Sequence, residues 1–129
     1  MMSWGIVVMI AGIILLCGLA IFQVLLALGK PLGKMAWGGA HRVLPRTLRR
    51  ASALAVPILL WAACILAFRA GFLPLILSPA WIRGFTWFFA GYFGLNVLAN
   101  LASRSRKERR IMGPVSIIIF AAFLIIAVH

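Results

Sequence analysis

The stretch Gly29 to Arg50, GKPLGKMAWGGAHRVLPRTLRR, decides the fold, because it is the one long polar connection in an otherwise apolar chain. It carries six basic residues, Lys30, Lys34, Arg42, Arg46, Arg49 and Arg50, and no acid. Gly29, Pro31, Gly33, Gly38, Gly39 and Pro45 break any long helix, which predicts turns and short pieces. Leu32, Met35, Trp37, Val43 and Leu44 alternate loosely with the bases and His41, which suits a segment lying at a membrane interface with Trp37 as anchor. One reading is a loop that orients the chain. The sharper one is a compact site in which Trp37, Gly38, Gly39, His41, Arg42 and Arg46, with Arg109 from a later basic run, receive an anionic headgroup or a partner protein. His41 gives no sign of a metal centre, since no Cys, Asp, Glu or second His lies nearby, and no cofactor is expected.

Working outward, composition leads to the membrane. Of 129 residues 65% are hydrophobic and only 11% charged, so a soluble domain would have too few polar residues to cover its surface. Thirteen Lys and Arg stand against the single acid Glu108, a formal net charge of +12. Beside continuous apolar runs that imbalance points to anionic lipid headgroups and away from nucleic acid.

The apolar runs predict a single all-α integral membrane domain, residues 1–129, with four transmembrane helices at about 4–28, 50–72, 84–102 and 106–128. The first has no basic segment ahead of it and no small-residue cleavage site, so it reads as a span and not a signal peptide. In the second, Ala51, Ala55, Ala63, Ala67 and Gly71 repeat at four-residue spacing around Leu59, a face for close helix packing, and Pro57 predicts a kink. Arg69 falls near its far end, where it can snorkel. Cys17 and Cys64 are expected at mid-membrane as two buried, inert thiols. A short apolar connection, residues 73–83, carries Trp81 and Arg83 at the water boundary.

The third helix holds an intramembrane polar stripe. Tyr92, Asn96 and Asn100 recur every four residues, with Ser103 one turn further, so they share one face. That face must meet protein or water. Hydrogen bonds to Gln23 of the first helix and to helix backbones are one explanation, a polar solute path the other.

The second basic connection, SRSRKERR at residues 103–110, contains Ser105 and Glu108 at capping-box spacing. A helix starting only at Pro114 would reach about 24 Å, short of a core of roughly 30 Å, so the fourth helix is expected to start near Arg106. Glu108 is thus expected to be structural, either capping that helix or pairing with Arg104 or Arg109. On this reading no carboxylate is embedded in the membrane, which disfavours proton-coupled export of cations. The basic residues of the two polar connections outnumber Arg69 and Arg83 around the middle one, which predicts both basic connections in the cytoplasm and both termini outside.

QVLLALGKPLGKMAWGGAHRVLPRTLRRAS (23–52) and LNVLANLASRSRKERRIMGPV (95–115) together resemble a group of small bacterial four-helix membrane proteins without an established function. The resemblance implies a bacterial cytoplasmic membrane and a cytoplasmic-side constellation of the basic loop with Asn100, Ser103, Glu108, Arg109 and Pro114. It implies no reaction. The favoured expectation is a non-enzymatic binding or accessory protein whose basic face engages anionic lipid or a membrane protein partner. The alternative is a homo-oligomeric transporter or channel for an anion or neutral polar solute along Tyr92, Asn96 and Asn100.

Overall fold

The computed structural model describes residues 3–74 and 76–129, and these are 81% helix with no strand. Four helices run up and down the bundle: α1 (Ser3–Ala27), α2 (Arg46–Ala70), α3 (Pro79–Leu101) and α4 (Gly113–Val128). α4 is preceded by a helical turn at residues 106–107 and a π turn at Glu108–Met112. The first basic connection folds into two single 3₁₀ turns, Gly33–Met35 and Trp37–Gly39. The end holding both basic connections is called the basic end below, and the other the far end.

Three helical segments, Trp4–Ala27, Arg46–Ala70 and Glu108–Val128, are long and apolar enough to cross a membrane. α3 is 23 residues long but carries Arg83 and the polar stripe, and it does not reach that apolarity. Both middle helices begin earlier than their hydropathy suggests. α2 starts directly after Pro45, in extended conformation at ψ 164°, and α3 takes Pro79 into its first turn, where a missing amide hydrogen costs nothing. Trp81 and Arg83 therefore belong to α3 and not to the connection before it, in which Leu75 lies outside the described residues.

α1 packs along α2 and α3 along α4, while contact between α1 and α4 joins the two hairpins. Lipid gives no hydrophobic drive between helices, so close fit must supply the attraction. Gly12 is one such point: a Cβ there would come within 2.8 Å of Leu66 Cδ1 and 3.4 Å of Ala122 Cβ, on two different helices. On the small-residue face of α2, Ala63 is buried and Ala51, Ala55 and Ala67 are half-buried. Aromatic rings join α3 to α4, with Phe93 stacked on Phe123 at 5.6 Å and Phe89 at 5.5 Å from it. α2 and α3 touch mainly near the far end, where Trp61 meets Phe85 edge-on at 5.4 Å.

Each helix C-terminus is closed. Arg49 Nε donates to Ala27 O at 3.0 Å, Arg109 Nη1 to Ser103 O at 2.7 Å just beyond α3, and Arg69 Nη2 to Ile126 O at 2.9 Å. α2 ends instead on Gly71 at φ +83°, a left-handed position that glycine takes without a Cβ penalty. Arg69, expected to snorkel, thus ties α2 to the end of α4, where a cation suits the negative pole of the helix dipole. Cys17 and Cys64 are both free, but Cys17 is exposed on the outer face of α1 and not buried.

Candidate functional site

The first basic connection is held to the bundle by backbone geometry more than by charge. Trp37, Gly38 and Gly39 take positive φ in succession, 54°, 80° and 73°. For a tryptophan that costs roughly 1–3 kcal/mol, and it persists only where the surroundings hold it. Here the indole Nε1 donates to Ser52 Oγ of α2 at 3.0 Å, and Ser52 is fully buried. Gly39 meets the second connection so closely that a Cβ would overlap the Ser105 side chain. The Ser105 hydroxyl in turn donates to Lys34 O. The two most basic segments are therefore latched together by serine, glycine and backbone.

This splits the compact site read from the sequence. Gly33 N donates to Arg42 O at 2.8 Å and closes the loop on itself, leaving the side chains of His41, Arg42 and Arg46 exposed to the outside. Trp37 and Gly38 face a cavity on the inner side, Gly39 serves the latch, and Arg109 is engaged with Ser103.

The expected capping box forms in one direction only. Glu108 N donates to Ser105 Oγ at 3.3 Å, but Ser105 N donates to Ser103 Oγ at 3.1 Å and not to the Glu108 carboxylate. The π turn explains where the carboxylate goes. Along α4 the inward residues Ile126, Phe123, Ile119, Ser116 and Gly113 step back by three or four, as an α-helix requires. The next buried residue is Glu108, five positions back, and Gly113 N closes the π turn onto Glu108 O. Pro114 offers no amide hydrogen and crowds the carbonyl four residues earlier, conditions under which the α ladder gives way. A regular helix would have turned Arg109 or Arg110 inward at this level. Instead the only acid of the chain is turned in, 6% exposed, and its Oε1 has no hydrogen-bond partner among the described residues. Neither expected local pairing is made, and Glu108 stands at the first position of a span-length apolar segment.

Glu108 lines a cavity of about 410 Å³ in the basic half, bounded by all four helices and closed at the basic end by Met35, Ala36, Trp37 and Gly38. The stripe residues Tyr92, Asn96 and Asn100 form one wall. Asn100 Nδ2 donates to Asn96 Oδ1 at 3.2 Å and to Met112 O at 3.3 Å, so the stripe is tied to the π turn. Ser103, the stripe's last member, is buried outside this wall and accepts from Ser105. Gln23 lines the opposite side, but its Oε1 is buried without a partner, so the expected hydrogen bond from the stripe to this oxygen is not made. Leu19, Phe22, Leu59, Phe93 and Val115 complete a mostly apolar wall.

The sequence reading missed Glu108 as a cavity residue. Its only signal was an acid three residues after Ser105 and six before Pro114, inside a run of arginines. Fold and site together define a helical, membrane-compatible bundle with a mainly apolar cavity, bearing a few polar side chains, in one half. Compared with protein-family models, curated proteins and solved structures, the chain matches none, so the chemistry of the site is read from its geometry.

Proposed function

We propose that this is a four-span integral membrane protein, both termini outside and both basic connections in the cytoplasm, that takes a polar solute into its cytoplasmic-half cavity as a carrier. The bacterial cytoplasmic membrane is its proposed location. One observation carries the functional reading: two buried side-chain acceptors, on Glu108 and Gln23, border the same cavity and have no partner among the described residues. Unpaired buried polar atoms are costly, and sites that keep them commonly use them. The orientation is supported by eleven bases in the two basic connections against Arg69 and Arg83 at the other end. Binding and passage, not turnover, suit a site whose one carboxylate has no second acid or base beside it.

Cysteine accessibility tests this reading. With Cys17 and Cys64 replaced by alanine, cysteines at Asn96 and Ala99 should react with a membrane-impermeant thiol reagent from the cytoplasmic side, while cysteines at Ile118 and Leu124 should not. Silence at both cavity positions would overturn the reading.

A second reading has its own observation. Arg46, Arg49 and Arg50 line a shallow groove with Ala27 and Ala53, of about 420 Å³, at the headgroup level of α1 and α2. An anionic lipid headgroup suits it, as would an acidic partner protein. Native mass spectrometry of the gently extracted protein would show a retained anionic lipid that Arg46→Gln with Arg50→Gln releases, and would give the oligomeric mass. Adducts equal in both forms would remove this reading.

A further inference from the structure

We propose that the cavity is a site for an organic cation, a protonated amine or guanidinium carrying an apolar group, with the Glu108 carboxylate as its counter-ion. This rests on the solute-cavity reading above and names what the cavity takes.

The unpartnered atoms specify the ligand. Both Oε1 atoms, of Glu108 and of Gln23, are acceptors, so the missing groups are hydrogen-bond donors. A carboxylate in a low-dielectric setting repels an anion and gains most from a cation. The chain has thirteen basic side chains and lends none of them to this oxygen. Arg104, Arg106, Lys107 and Arg110 surround Glu108 in sequence, yet all four are exposed, and Arg109 is occupied by Ser103 O. The one-residue offset of the π turn keeps the bases out and the acid in. The counter-charge is thus left to come from outside the protein.

The rest of the wall separates an organic cation from a bare metal ion. Hard cations need about six or more oxygen ligands converging on a point. Here the lining is mainly apolar, and among the described residues no three His, Cys, Asp or Glu side chains gather. A volume of about 410 Å³ is far larger than an ion requires, within the range of small-molecule pockets. Phe22, Leu59 and Phe93 offer surface to an apolar group, and Trp37 supplies at the cytoplasmic end an indole of the kind that favours cations.

The test uses a matched series, 4-phenylbutylammonium, 4-phenylbutanol and 4-phenylbutanoate, on the full chain in nanodiscs of zwitterionic lipid, with empty nanodiscs subtracted. The ammonium should bind saturably, the alcohol weakly and the carboxylate not at all. Glu108→Gln should weaken ammonium binding about tenfold or more, as expected for loss of a charge-assisted contact. Glu108→Asp should recover part of it. A folding-independent check compares cationic trimethylammonium-ethyl and anionic sulfonato-ethyl methanethiosulfonate at Asn96→Cys: the cation's advantage should shrink several-fold in Glu108→Gln. Equal ammonium binding by wild type and Glu108→Gln, or binding of the carboxylate, would overturn the inference. If the cavity cysteines label but no ammonium binds, the cation assignment fails and the solute cavity stands. If they do not label, both fail.

Discussion

Toward the far end, Phe89 of α3 closes on Phe123 of α4, and Trp61 of α2 meets Phe85. Toward the basic end, the same four helices separate around a cavity in which Glu108 and Gln23 hold oxygens without a hydrogen-bond partner among the described residues. Among the described residues the far half has no such buried loose ends, and its Arg69 is tied to Ile126 O. The basic half holds the successive positive φ angles, the π turn and every unpartnered buried side-chain atom found among the described residues. The difference shows a division of labour within 129 residues: the far half holds the bundle together by close fit, and the basic half keeps polar groups unspent.

If that division is right, the largest loss of stability should come from the far half. Phe123→Ala, at a fully buried position, should destabilise the protein by about 3–5 kcal/mol in reversible unfolding within mild detergent. Next comes the latch. Gly39→Ala sets a Cβ against Ser105 at a positive φ and should cost about 2–3 kcal/mol, with Gly38→Ala, which meets open space, costing less. Glu108→Gln should behave in the opposite sense, leaving stability unchanged or raising it by about 1 kcal/mol, because it removes an unpaired buried carboxylate. A marked loss of stability in that variant would mean that Glu108 belongs to the structural half after all. The smallest loss of stability is expected from Arg69→Met, about 1 kcal/mol for one hydrogen bond to Ile126 O. Its unfolding curve should shift without any change in ligand binding.

Helix number and the grouping of Tyr92, Asn96 and Asn100 were legible because periodicity and continuous apolar runs are properties of neighbours in sequence. The starts of α2 and α3 were not, because Pro45 and Pro79 look like breaks although proline suits a helix entry. A Gly38–Gly39 pair permits positive φ, but nothing in it says that Trp37 shares it, since that depends on a bond to Ser52 fifteen residues on. Glu108 was misread for a deeper reason. Counting faces in steps of three and four assumes an unbroken α ladder, and the π turn adds one residue at the position where the count mattered.

That added residue makes the electrical sign of the cavity a matter of register. Between Glu108 and Gly113 the chain is one residue longer than an α-helix needs, and an arginine stands on the other side of the phase boundary. Deleting Arg110 removes the extra residue, so an unbroken α ladder is expected to place Glu108 four positions before Gly113, with the acid still on the inner face. The variant should therefore still prefer 4-phenylbutylammonium to 4-phenylbutanoate. Polarity in this protein would be inherited through the winding of a five-residue turn as much as through its side chains: the same residues wound as an α ladder would set Arg109 where the acid now stands.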